Sequence, residues 1–161
     1  MARIILLELG DEEIYFDFGT YGIMMFYAKQ INSQKGKKLF DSLLSEYSYR
    51  VMYDLPLGNI TYHNYLAHFV VSEIQEVINF LNDDVIISLN NENLNLLDQY
   101  GGVHSFIDMY YLDAGYLENL GLTSDEHFNG SISFLIQQFE NLISFYEYAL
   151  LSNETYTSRI D

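Results

Sequence analysis

The chain has no cysteine and a single proline, Pro56, among its 161 residues. Without cysteine there are no disulfides, no thiolate metal sites and no cysteine nucleophile, and a reducing compartment is the natural setting. Long apolar runs are missing too. Ile4-Ile5-Leu6-Leu7 is stopped at once by Glu8, and nothing approaches the roughly 18 apolar residues that a membrane helix needs. That opening run is too short and too acidic for a secretory signal, so the expected compartment is the cytoplasm, with no membrane partner. Bases are the scarcest charged residues: seven Lys and Arg face 23 Asp and Glu, for a net charge of −16.

The place where bases are missing says more than their number. Residues 51–158 hold 15 acids and no Lys or Arg, whereas the first 50 residues hold seven acids and six bases. Exposed acids without counter-bases repel one another and project a negative field, which salt screens beyond roughly 8 Å. Such a field repels nucleic acid, because phosphate contacts need the bases this chain lacks. It attracts a basic protein and speeds its capture. Selection for solubility also produces acidic surfaces, but a merely solvated face mixes both signs.

The motifs of common enzymes are absent. Gly19-Thr20-Tyr21-Gly22 has neither the lysine nor the spacing of a phosphate-binding loop. There is no GxSxG elbow. His63 and His68 are five apart, about 140° around a helix, and cannot clasp one metal as an i, i+4 pair does. The acid- and Asn-rich stretch 83–95 lacks the ligand alternation, central glycine and closing Glu of an EF-hand. Asp108 and Asp113 point to different sides of a helix and make no catalytic pair. No cofactor, no metal and no catalytic residue is expected, and the protein reads as a non-enzyme.

What is present is a folded chain with 49% hydrophobic residues, expected as one domain over residues 1–161. The fold class expected is α+β, predominantly α-helical, with an N-terminal β-hairpin on about four to five helices. Residues 3–9 and 13–18 are short and apolar, the second alternating Ile14, Phe16 and Phe18 with Tyr15 and Asp17, and read as two strands around Gly10, Asp11 and Glu12. The run Val85-Ile86-Ile87-Ser88-Leu89 has strand composition and is the candidate for a third strand. Thr20 is the expected cap of a helix to Ile31, followed by a polar break over residues 32–38. Leu39, Phe40, Leu43, Leu44, Tyr47 and Val51 form a helical stripe, with Lys37 and Lys38 near its start. Leu55-Pro56-Leu57-Gly58-Asn59 reads as a turn. From Thr61 a helix is expected to run through Leu81, burying Leu66, Phe69, Val70, Ile74, Val77 and Leu81. Asp83-Asp84 is expected to close it. From Ser131 the cleanest stripe runs through Ile132, Leu135, Ile136, Phe139, Leu142, Ile143, Tyr146 and Leu150, with Phe134, Phe145 and Tyr148 on nearly the opposite side. The tail, residues 152–161, is expected to fray.

Between His104 and Leu122, Asp108, Asp113 and Glu118 are interleaved with Tyr110, Tyr111 and Tyr116. Tyrosine offers large contact area with few rotors to freeze, and aromatics are favoured in interface cores. Together with the acidic turns Asp83-Asp84 and Asp125-Glu126, these residues are the candidate partner-binding set. In general character, being short, acidic and without catalytic motifs, the chain resembles bacterial immunity proteins and antitoxin-like inhibitors. That resemblance implies occlusion of a basic partner such as a toxin nuclease, and it transfers no residues. A nucleic-acid mimic aimed at a defence enzyme, and a non-catalytic adaptor, are the alternatives.

Overall fold

Two apolar stretches at the start of the chain close on each other as an antiparallel hairpin. The computed structural model describes residues 4–43, 50–51, 53–59, 71–92, 100–113 and 132–161. In it β1 is Ile4–Leu9 and β2 is Glu12–Asp17, the expected hairpin with a shorter turn: Glu12 pairs with Leu9 instead of lying in the loop, and Phe18 opens the next helix instead of ending the strand. Gly10, with φ +62°, takes the first place of the two-residue turn, where a type II′ hairpin needs glycine. Ile5, Leu7, Leu9 and Phe16 are buried on one face of the sheet. Leu6 points the other way but is only 6% exposed, since Tyr15 and Arg159 flank it on the neighbouring strands.

The third strand comes from the other end of the chain. Thr157–Ile160 (β3) pairs antiparallel with β1, giving the order β2-β1-β3. Ile4 and Asp161 exchange backbone hydrogen bonds at 3.1 and 3.0 Å. The expected fraying of the tail is therefore corrected, and so is the strand expected at 85–89. Tyr156 anchors the tail. It is fully buried, with its ring centroid 5.5 Å from that of Tyr146 and 5.8 Å from that of Phe145.

Asp17 ends β2 and starts α1 (Phe18–Ile31). Its two carboxylate oxygens accept from the Thr20 N–H and hydroxyl, each at 2.8 Å, so Asp17 rather than Thr20 is the cap. Every residue from Phe18 to Ala28 is buried, which makes α1 a core helix rather than an amphipathic one. The polar stretch after it breaks the helix only at Asn32, whose side chain accepts from the Lys35 N–H at 3.0 Å and opens α2 (Ser33–Leu43). Lys37 and Lys38 thus lie inside α2, not at its start. Lys38 pairs with Glu73, and the Lys35 ammonium stands 5.6 Å from the centre of the Phe80 ring. Leu39, Phe40 and Leu43 are buried as expected, Val51 is exposed, and Leu44 and Tyr47 lie outside the described residues.

The helix expected to stop at Asp83-Asp84 runs on. Val71–Phe80 (α3) passes into a π-helical turn, Leu81–Ile86, and then into α4 (Ile87–Asn90). Ile74, Val77, Leu81, Val85 and Leu89 are buried, and Ser72, Gln75 and Asn79 are exposed. Helical periodicity therefore wins over strand composition at 85–89. Leu66, Phe69, Val70, His63 and His68 fall outside the described residues. Past Gly101 and Gly102, both at positive φ, comes α5 (Val103–Asp113). The longest helix among the described residues, α6 (Ile132–Ser152), buries Leu135, Phe139, Leu142, Ile143 and Tyr146, and also Phe145. It packs against β2, α3, the π-helical turn, α4 and α1. The fold is α+β and mainly α-helical. No helix among the described residues is long and apolar enough to cross a membrane.

Candidate functional site: an acidic groove at the π-helical turn

A π turn is wound wider than an α turn and recurs at functional positions. Here it keeps Leu81 and Val85 in the core while Asn82, Asp83 and Asp84 stay exposed between them. The two carboxylates border an open groove of about 650 Å³, whose walls also include Gln30, Asn32, Ile87, Asn91 and Tyr100. Gln30 and Asn32 belong to the C-terminal end of α1, where the chain turns into α2. Ile87 is 52% exposed, an apolar foothold one turn beyond the acids.

Behind the groove lies a polar and aromatic bracket. The Tyr27 hydroxyl is 2.9 Å from the Ser88 hydroxyl and donates to Glu92 Oε1 at 3.1 Å. Tyr100 meets the Tyr27 ring edge-on at 6.3 Å and leans on Phe106 at 5.1 Å. Burial, seconded by the Glu92 charge, pushes the phenols of Tyr27 and Tyr100 above their ordinary value of 10.0. Burial does the same to Tyr146, with Tyr156 beside it. All three therefore stay neutral at physiological pH.

This has a consequence at high pH. A phenol with a raised folded-state pKa holds its proton where the unfolded chain has lost it, so stability falls with rising pH there. Its contribution is complete below about pH 10 and is lost as pH climbs through the folded values. Stability is expected to be flat up to about pH 9 and to drop above about pH 10. The part of the phenolate absorbance that comes from the buried tyrosines should then appear together with loss of helical circular dichroism. Smooth titration of every tyrosine in a folded chain would contradict the buried bracket.

Of the predicted partner-binding residues, Asp83 and Asp84 share this groove. Asp108 is exposed on α5 and does not line it. Tyr110, Tyr111 and Asp113 lie on α5, but their side chains are outside the described residues, as are Tyr116, Glu118, Asp125 and Glu126 altogether. Ile87, Asn91 and Tyr100 were not foreseen. The signal for Ile87 was available, since it falls on the exposed side once Leu81, Val85 and Leu89 are read at helical spacing. Among the described residues no three His, Asp or Glu side chains are grouped to hold a metal ion. The groove has carboxylates, amides and one exposed aliphatic side chain, which can bind a cationic group and seat an apolar one beside it. No protein-family model, curated protein or solved structure matches this chain.

Proposed function

We propose that this protein is an acidic inhibitor that docks onto a basic protein and covers the surface by which that partner holds an anionic substrate. The observation that carries this reading is the pair Asp83-Asp84 beside exposed Ile87 in an open groove, in a segment with no Lys or Arg. Lys and Arg side chains of the partner would meet the carboxylates, while an apolar neighbour packs on Ile87. A nuclease is the partner class this chemistry fits best, because its cleft must be cationic to hold phosphates. Covering that cleft blocks substrate without any catalytic step by the inhibitor, in the manner of an immunity protein and its toxin.

The test pairs binding with inhibition. Proteins retained by the full chain from its own lysate are identified, purified and assayed for nucleic-acid cleavage with and without it. Cleavage is expected to be suppressed at equimolar inhibitor. Asp83→Lys/Asp84→Lys is expected to slow association by about tenfold or more while leaving the melting temperature nearly unchanged. A partner bound equally fast by the charge-reversed variant would remove the groove from the interface. A partner with no activity on nucleic acid would favour the adaptor reading, and a partner that is a host defence enzyme would favour the mimic.

A further inference from the structure

We infer that the outer edge of β2 accepts an extended, lysine- or arginine-bearing segment of another protein as a fourth strand of the sheet. The inference rests on the strand's geometry and stands whether or not the acidic groove has the partner proposed above. In the order β2-β1-β3, no described residue pairs with the outer side of β2. The backbone bonds between Ile4 and Asp161 show that the amides and carbonyls of Ile4, Leu6 and Glu8 face β3. Antiparallel alternation then turns Ile5, Leu7 and Leu9 toward β2, where they meet Phe16, Ile14 and Glu12. The groups left pointing outward are the N–H and C=O of Glu13 and Tyr15.

A slot runs along this edge. Consecutive residues Glu13 to Asp17 form one wall, and Phe134, Gln138 and Asn141, successive positions on one face of α6, form the other. It opens to about 430 Å³. Edges are ordinarily blunted by lysine, proline, bulges or a cover. β2 has no lysine and no proline, and its register with β1 runs unbroken from Asp17 to Glu12. Among the described residues its protection is acid: Glu12 and Glu13, with Asp17 at the strand's end holding Thr20.

That protection selects the occupant. Two β2 edges brought together would set acid against acid, which is destabilising across strands, so a second copy of this chain is disfavoured. A cationic strand gains where a self-pair loses. The pleat sets its pattern as well. Glu13, Tyr15 and Asp17 share the solvent face of the sheet, while Ile14 and Phe16 turn toward α6. The added strand therefore alternates Lys or Arg on the outer face with apolar residues toward Phe134. This is strand addition, with backbone bonds for affinity and side chains for selection.

The probe is a synthetic peptide as long as β2, alternating lysine and valine. It is expected to bind the full chain and to slow hydrogen exchange at the Glu13 and Tyr15 amides. Exchanging its lysines for glutamates should abolish binding. N-methylating the amides that face β2 keeps every charge but removes donors, and is expected to weaken binding by about tenfold or more. Tyr15→Pro, which deletes an outward N–H that β1 does not use, should do the same in a chain of unchanged circular dichroism. Equal binding of the methylated and unmethylated peptides would overturn the inference, and this comparison holds even if Tyr15→Pro fails to fold. Unprotected Glu13 and Tyr15 amides, or dimerisation of the free chain through β2, would overturn it as well.

Discussion

Replacing Gly36 with alanine is expected to destabilise the protein by about 3 kcal/mol or more, against the sign that helix propensity alone would give. Gly36 lies in α2, where alanine in place of glycine normally adds about 1 kcal/mol. Here α2 crosses the end of α1 so closely that a Cβ on residue 36 would sit 2.4 Å from the Lys29 nitrogen and 2.7 Å from the Ala28 carbonyl carbon. Those are backbone atoms of a buried helix and cannot swing aside like a side-chain tip. The whole of α2 would have to back away, loosening Leu39, Phe40 and Leu43 from the core. For a chain of this size the melting temperature should fall by about 6–12 °C. The one-residue link at Asn32 makes this closeness necessary, because so short a connection leaves no slack between the helices.

The second large effect is expected at the centre of α6. Phe139 is fully buried and belongs to the cluster that joins the sheet to the helices. Phe139→Ala removes most of an aromatic side chain and leaves a void that neighbouring helices fill only in part. A loss of about 3–5 kcal/mol follows, a large fraction of the stability of a typical domain. Equilibrium urea unfolding checks both variants, with a lowered midpoint and an unchanged slope as the expected signature. A Phe139→Ala chain as stable as the wild type would mean that α6 is not packed as described.

The hairpin and α6 were legible because their apolar positions recur regularly: Ile14 and Phe16 two apart on β2, and Leu135, Phe139, Leu142 and Tyr146 three to four apart on α6. The run 85–89 was not, since Val, Ile and Leu in four of five consecutive places, broken only by Ser88, satisfy strand composition and a helical face equally. What settles it is the continuation of the Ile74, Val77, Leu81 stripe through Val85 and Leu89. The acidic pair looked like a helix end, yet a π turn lets the helix pass through it. β3 was illegible for another reason. Thr157-Ser158-Arg159-Ile160 has little apolar character of its own, and its pairing with β1 joins opposite ends of the sequence. Only Tyr156, an aromatic just before it, hinted that the tail is held.

The site was legible in part and for one physical reason. A deficit of bases over a long segment is visible in any order of residues, whereas the meeting of α1's end with Asp83, Ile87 and Tyr100 depends on the tertiary fold. Charge could therefore be read early, and the groove could not.

If negative charge in the groove drives partner binding, that binding weakens as salt rises. Affinity for the identified partner should be measured from low to high ionic strength for the wild type and for Asp83→Lys/Asp84→Lys. The prediction is a steep loss for the wild type as salt rises and a much flatter dependence for the variant. An affinity that ignores salt, or falls equally steeply in both proteins, would contradict it.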